Sequence, residues 1–177
     1  MCCAQNCFNK NTVGWRFLVS VLALFVLSGL HGATALDFDE CGIDSAVAFE
    51  DWRIWNKTTP EPYLSSQHAN DWVTIYFDDL AKTADLVSTG KFAVCAKIGK
   101  VHFRSARGIV PRYLMLMVKM PAGFDPDHGD WWYGYYDISV GAALVEQGAI
   151  EGCIKCHKQA SGMDYVFAKG LIEKSME

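Results

Sequence analysis

Cys153, Cys156 and His157 lie in the stretch GCIKCHKQASGMDYVF, Gly152 to Phe167, close to the end of the 177-residue chain. Two thiols two residues apart with an imidazole directly after the second make a C-x-x-C-H pattern, the attachment signature of haem c. The spacing has a chemical reason. Two thiols must add across the two vinyl groups on one edge of a porphyrin, and a single turn of chain spans them. The adjacent His157 is then held under the ring, where its imidazole can bind the iron as proximal ligand. The rival chemistries fit less well. A redox dithiol should open a helix after a strand in a βαβ unit, and no such unit is legible. A zinc site needs two further ligands at suitable spacing, and His68, His102, His128, Cys41 and Cys95 are all distant in sequence. A plain structural disulfide between the two cysteines is the third rival; an export signal ahead of the motif weighs for haem.

What such an iron does depends on its other face. An electron carrier has its motif early and a methionine ligand well downstream. Here only Met163 and Met176 follow the motif. Met163 lies too near His157 to cross to the opposite face easily. Met115, Met117 and Met120 could reach from elsewhere, but Met115 and Met117 have the spacing of strand residues in a core. The sequence therefore points to a five-coordinate iron with one side open to a small molecule.

The elements that must position this cluster can be read from pattern. Asp39–Trp55 has apolar residues at helical spacing. Residues 56–70 form a polar loop containing prolines. DWVTIYF, Asp71–Phe77, reads as a strand. DDLAKTADLVSTG reads as a short helix with acids first and Gly90 as its stop. KFAVCAKIGKVHFRS, RYLMLMVKMP and the aromatic WWYGYYDISV read as further strands, with the turn-rich GFDPDHGD before the last. From about Glu146 the tail reads as helical. The expected class is α+β: mainly antiparallel β-sheet, short helices, and a C-terminal haem-bearing helical segment. The strands argue against a four-helix bundle, which would also carry its motif late.

The chain is one domain's worth of sequence. Residues 1–35 read as a secretory signal: Lys10 and Arg16, the apolar run Phe17–Leu30, then a small-residue cleavage site ending at Ala35. The run is shorter than the ~20 residues of a spanning helix. Residues 36–177 would then be the mature, exported domain, periplasmic and without a membrane span. Loss of Lys10 and Arg16 changes the formal charge from −4 to −6. An acidic domain repels phosphate backbones, which excludes nucleic acid as a partner and suits a basic protein partner. Cys41 and Cys95 can pair in an oxidising compartment or remain two buried thiols. The sequence leaves both open, and it assigns nothing to Cys2, Cys3 and Cys7.

The chain resembles the cytochrome P460 family, which includes the β-sheet cytochromes c′. The resemblance is carried by CIKCHKQASGMDYVF with its Asp164–Phe167 close, by GDWWYGYY before it, and by VTIYFDDLA and STGKFAVCAKIGK, in the family's order. It implies a homodimer with one haem c per subunit on a mainly antiparallel sheet. It further implies a small nitrogen compound, hydroxylamine or nitric oxide, at the open iron, and a soluble cytochrome c as electron acceptor. In the family's enzymes a lysine nitrogen is bonded to the porphyrin, on a strand that follows a Gly-x-Phe turn. Here that turn is Gly90-Lys91-Phe92 and the matching lysine is Lys100. Lys97 competes, but strand alternation sends the two to opposite faces. Two positions depart from the enzymes' pattern: Val101 follows the lysine where an acid is common, and the segment before TIYF lacks a basic residue.

Oxidation of hydroxylamine requires an open ferric iron, a base to take protons and a route out for electrons. Glu146 and Glu151, just before the motif, are the candidate bases, with Asp137 as a weaker one. The bland alternative for both glutamates is a solvated helix face. The expected functions are thus a hydroxylamine oxidoreductase, or a binding protein that captures nitric oxide among aromatic side chains.

Overall fold

The computed structural model describes residues 41–43, 51–66 and 70–176. All lie in the unit Thr34–Glu177. The expected leader and His68 fall outside the described residues, as does most of the early helix expected over 39–55. Its described end is a 3-10 helix, Asp51–Ile54. Among the described residues no helix is long and apolar enough to cross a membrane.

A seven-stranded antiparallel sheet dominates: β1 (Asn56–Lys57), β2 (Tyr63–Ser65), β3 (Asp71–Phe77), β4 (Lys97–Phe103), β5 (Pro111–Lys119), β6 (Trp131–Asp137) and β7 (Ala143–Gly148). The order is β1-β3-β4-β5-β6-β7, with β2 beside β1 on the same edge of β3. Three short α-helices accompany it among the described residues: α1 (Ala84–Thr89), α2 (Glu151–His157) and α3 (Lys169–Lys174). The fold is therefore α+β with a mainly antiparallel sheet.

Both faces of the sheet are covered, so its central strands are apolar at nearly every position rather than alternating. YLMLMV in β5 shows this. Met117 joins a core with Ile75, Phe77, Ile98, Tyr133 and the C-terminal segment. Leu114, Leu116 and Val118 join the opposite core with Tyr76, Val101, Trp132 and Trp52. In β6 the same alternation splits neighbouring aromatics, sending Trp131 and Tyr133 to the first core and Trp132 and Tyr136 to the second.

Several boundaries differ from the sequence reading. The loop expected over 56–70 contains β1 and β2, recruited by the free edge of β3. The strand expected from Lys91 begins only at Lys97, because Cys95 has φ +67 and turns the chain first. The helix expected from Glu146 starts at Glu151, and β7 precedes it, paired to β6. α1 ends as expected: Gly90 has φ +72 and its N–H closes on the Leu86 carbonyl.

Cys41 and Cys95 form a disulfide, with Cα atoms 4.9 Å apart and a sequence separation of 54. It ties the start of the domain to the turn before β4. Replacing both with alanine is expected to cost about 2–4 kcal/mol, since the bridge restricts the unfolded chain. Urea unfolding of the double variant against the parent checks this. An unchanged midpoint would mean the tether adds nothing.

Candidate functional site

The C-x-x-C-H residues lie on α2. Helical spacing places Cys153, Cys156 and His157 at i, i+3 and i+4, one side of a single turn. That side faces the sheet across a cavity of about 200 Å3. Cys153, Cys156 and His157 form one wall, and Ile75, Ile98, Met115, Met117, Tyr133 and Tyr135 form the other. Val166, Phe167 and Ala168 close it from the C-terminal segment. Both cysteines are free thiols and half-buried.

Lys100 projects into the same cavity from β4. The register Ile75–Lys100–Met115–Tyr135 runs straight across four strands on the cavity face. Lys97 is not among the cavity-lining residues. Burial pushes the Lys100 ammonium down from an ordinary 10.5 to about 8, while Cys156 pulls weakly the other way. About one molecule in ten then carries a neutral amine at pH 7. A second hollow of about 230 Å3, lined by Tyr63, Ser65 and Leu171, meets the first at Lys100 and Phe167.

The lysine shift has a sign. The folded state disfavours the charged amine, so the unfolded chain binds more protons between the two pKa values. Stability of the haem-free chain should therefore rise as pH climbs from about 8 to about 10.5. Denaturation midpoints across that range should climb more steeply in the parent than in Lys100→Met. Parallel curves would contradict the burial argument.

His157 is oriented by a hydrogen bond. Its Nδ1–H donates to the Tyr165 carbonyl at 2.7 Å, which leaves Nε2 with its lone pair available. Burial lowers its pKa, the bond to Tyr165 opposes this, and Lys100 adds to the lowering. The rings of Tyr133 and Phe167 lie 5.5 and 5.6 Å from the imidazole.

The carbonyl that holds His157 is itself fixed. Asp164 and Tyr165 both adopt left-handed φ, +49 and +64. Such backbone is costly for residues with side chains. The Asp164 carboxylate accepts from Lys119 Nζ at 2.8 and 2.9 Å and from the Phe92 N–H at 2.9 Å. Its carbonyl accepts from Trp131 Nε1 at 2.8 Å. The Tyr165 hydroxyl donates to the Asp127 carbonyl at 3.1 Å. Its ring covers Gly129, where an added Cβ would lie 2.5 Å from a ring carbon and φ is +78. The Asp-Tyr-Val-Phe close is thus the bracket that sets the imidazole.

The candidate bases stand apart from this wall. Glu146 lies on β7 opposite Tyr135 and is exposed, and Glu151 is exposed at the first residue of α2. Neither lines the cavity. Glu146 is near enough to help raise the Cys153 thiol pKa, after burial, which is the main cause. Asp137 ends β6 and accepts from the Ser139 hydroxyl and N–H, which hold its pKa low. Met163 is exposed. Met115 and Met117 do more than fill the core, since both face the cavity. The sequence reading assigned nothing to Tyr133, Lys119 or Asp164 singly. Alternation through WWYGYYD could have placed Tyr133 beside the site, but no pattern pairs Lys119 with Asp164.

The donor set fits a haem c. Two free thiols and an imidazole with an available Nε2 share one wall of an apolar cavity, and the buried hydroxyl of Tyr133, a lining residue, has no hydrogen-bond partner among the described residues. Among the described residues, no three His, Cys, Asp or Glu side chains converge as a metal cage. No protein-family model and no curated protein sequence matches this chain.

Proposed function

We propose that the chain is an exported mono-haem c protein of the cytochrome P460 type that oxidises hydroxylamine at an open iron site. The observation that carries this reading is the single wall formed by Cys153, Cys156 and His157, facing Lys100 across an apolar cavity. Cys153 and Cys156 would hold the porphyrin through thioethers, and His157 Nε2 would bind its iron. When bound, that group supplies a redox iron able to take a small nitrogen ligand and pass electrons outward. Soluble cytochrome c is the proposed acceptor, and two copies of the chain the proposed assembly.

The chain's own residues prepare the site. The bond from His157 to Tyr165 sets the imidazole's tautomer and direction. The apolar wall of Ile75, Ile98 and Met117 limits water. Burial keeps part of the Lys100 population neutral, the form able to bond to the ring edge. Glu146 and then Glu151 are the proposed proton acceptors; both stand outside the cavity, so a proton leaving it would reach them through water.

A second reading is supported by the same apolar lining: a cytochrome c′-like protein that binds nitric oxide without turnover. The absorption spectrum of the reduced protein separates the two. A lysine-bonded ring shifts the main band to the red of an ordinary five-coordinate haem c, and Lys100→Ala should abolish that shift. Steady-state hydroxylamine oxidation with a dye acceptor then tests turnover. An unshifted band and no turnover would favour gas binding. Protein without covalently retained haem would end both readings.

A further inference from the structure

Tyr133 is unlike the other groups around the cavity. It sits on β6 in the row Met117–Tyr133–Gly148, and only 3% of its surface is exposed. Its hydroxyl oxygen is buried and has no hydrogen-bond partner among the described residues. Its ring lies against His157 and lines the cavity. A buried hydroxyl without a partner is costly, and native proteins rarely keep one. Phenylalanine would fill the same space without that cost. A phenol is protonated at any ordinary working pH, so this hydroxyl can donate.

We infer that Tyr133 is a binding residue of the site, its hydroxyl donating a hydrogen bond to an oxygen acceptor of the group that fills the cavity. This rests on the haem c reading above. The oxygen has two possible sources: a carboxylate of the porphyrin, or a small nitrogen–oxygen molecule at the iron. Each predicts a different loss when the donor is removed.

The test compares holoprotein of the parent and Tyr133→Phe, matured in a host that attaches haem. If the acceptor is a porphyrin carboxylate, the variant melts about 3–6 °C lower in ligand-free buffer. If it is the small molecule, melting is unchanged, but hydroxylamine, titrated without an electron acceptor, binds about fivefold more weakly. A hydroxyl that merely fills space gives the opposite sign: equal or higher melting and equal affinity. That result, with haem retained in both proteins, overturns the Tyr133 inference alone. Parent protein that retains no haem after denaturing extraction overturns the haem reading and this inference together. Should Tyr133→Phe not accumulate, tyrosine ring-deuterated at position 133 alone gives the answer by infrared. A C–O stretch typical of a donating phenol, with or without hydroxylamine, supports the inference, and a free-hydroxyl band in both conditions overturns it.

Discussion

Asp164→Ala should destabilise the protein by about 3–5 kcal/mol, because it strands the buried Lys119 ammonium. The pair is tight, at 2.8 Å, and both side chains are nearly inaccessible. Among the described residues, Lys119 keeps only the Gly129 carbonyl and the face of Trp131, neither of which carries a full negative charge. The Phe92 N–H loses its acceptor as well. Alanine also tolerates the left-handed backbone at this position less well than aspartate. Thermal melting should fall by about 10 °C or more. Asp164→Asn, which keeps the shape and one acceptor oxygen, should recover part of the loss. Equal melting of parent and alanine variant would show that the ion pair contributes nothing, and the bracket around His157 would need another explanation.

The second large effect concerns the thiols. On the proposed haem c reading, changing both Cys153 and Cys156 to serine should take covalently retained haem from one per chain to none. The chain itself should still fold, since both positions are only half-buried and Cys153 packs at the edge of the first core rather than inside it. Haem staining after denaturing electrophoresis, with intact mass measured alongside, reads the result. Each single variant should keep one thioether and a mass increase of one porphyrin. A double variant that still carries the added mass would place the attachment elsewhere, with Lys100 the first position to examine.

The sequence was most legible where local and tertiary preferences agree. DWVTIYF is rich in β-branched and aromatic residues and folds as β3 over the full span expected. C-x-x-C-H sits on a helical turn, which brings its two thiols and its imidazole to one side. β7 was hidden because ALVEQG is exposed along nearly its whole length and shows no alternation. Glu146 and Gln147 are good helix formers, yet pairing with β6 decides their conformation. The same outcome moves Glu146 from a helix face to a strand on the sheet's edge. Phe92–Ala96 has strand-like composition, but the Cys41–Cys95 bridge and the left-handed Cys95 turn it. The Lys119–Asp164 pair spans 45 residues, a contact that neither periodicity nor a short motif encodes.

The bracket at Asp164 and Tyr165 has a consequence for how the molecule comes apart. Tails usually fray first, but here the segment behind α2 is pinned to β5 through Lys119 and to β6 through Trp131. To peel away, it must give up a buried charge pair that the sheet alone cannot satisfy. The last strands and the imidazole-bearing turn should therefore open together. In native-state hydrogen exchange, the amides of Tyr165 and Val166 should be as slow as those in the middle of β5, although they lie so near the chain's end.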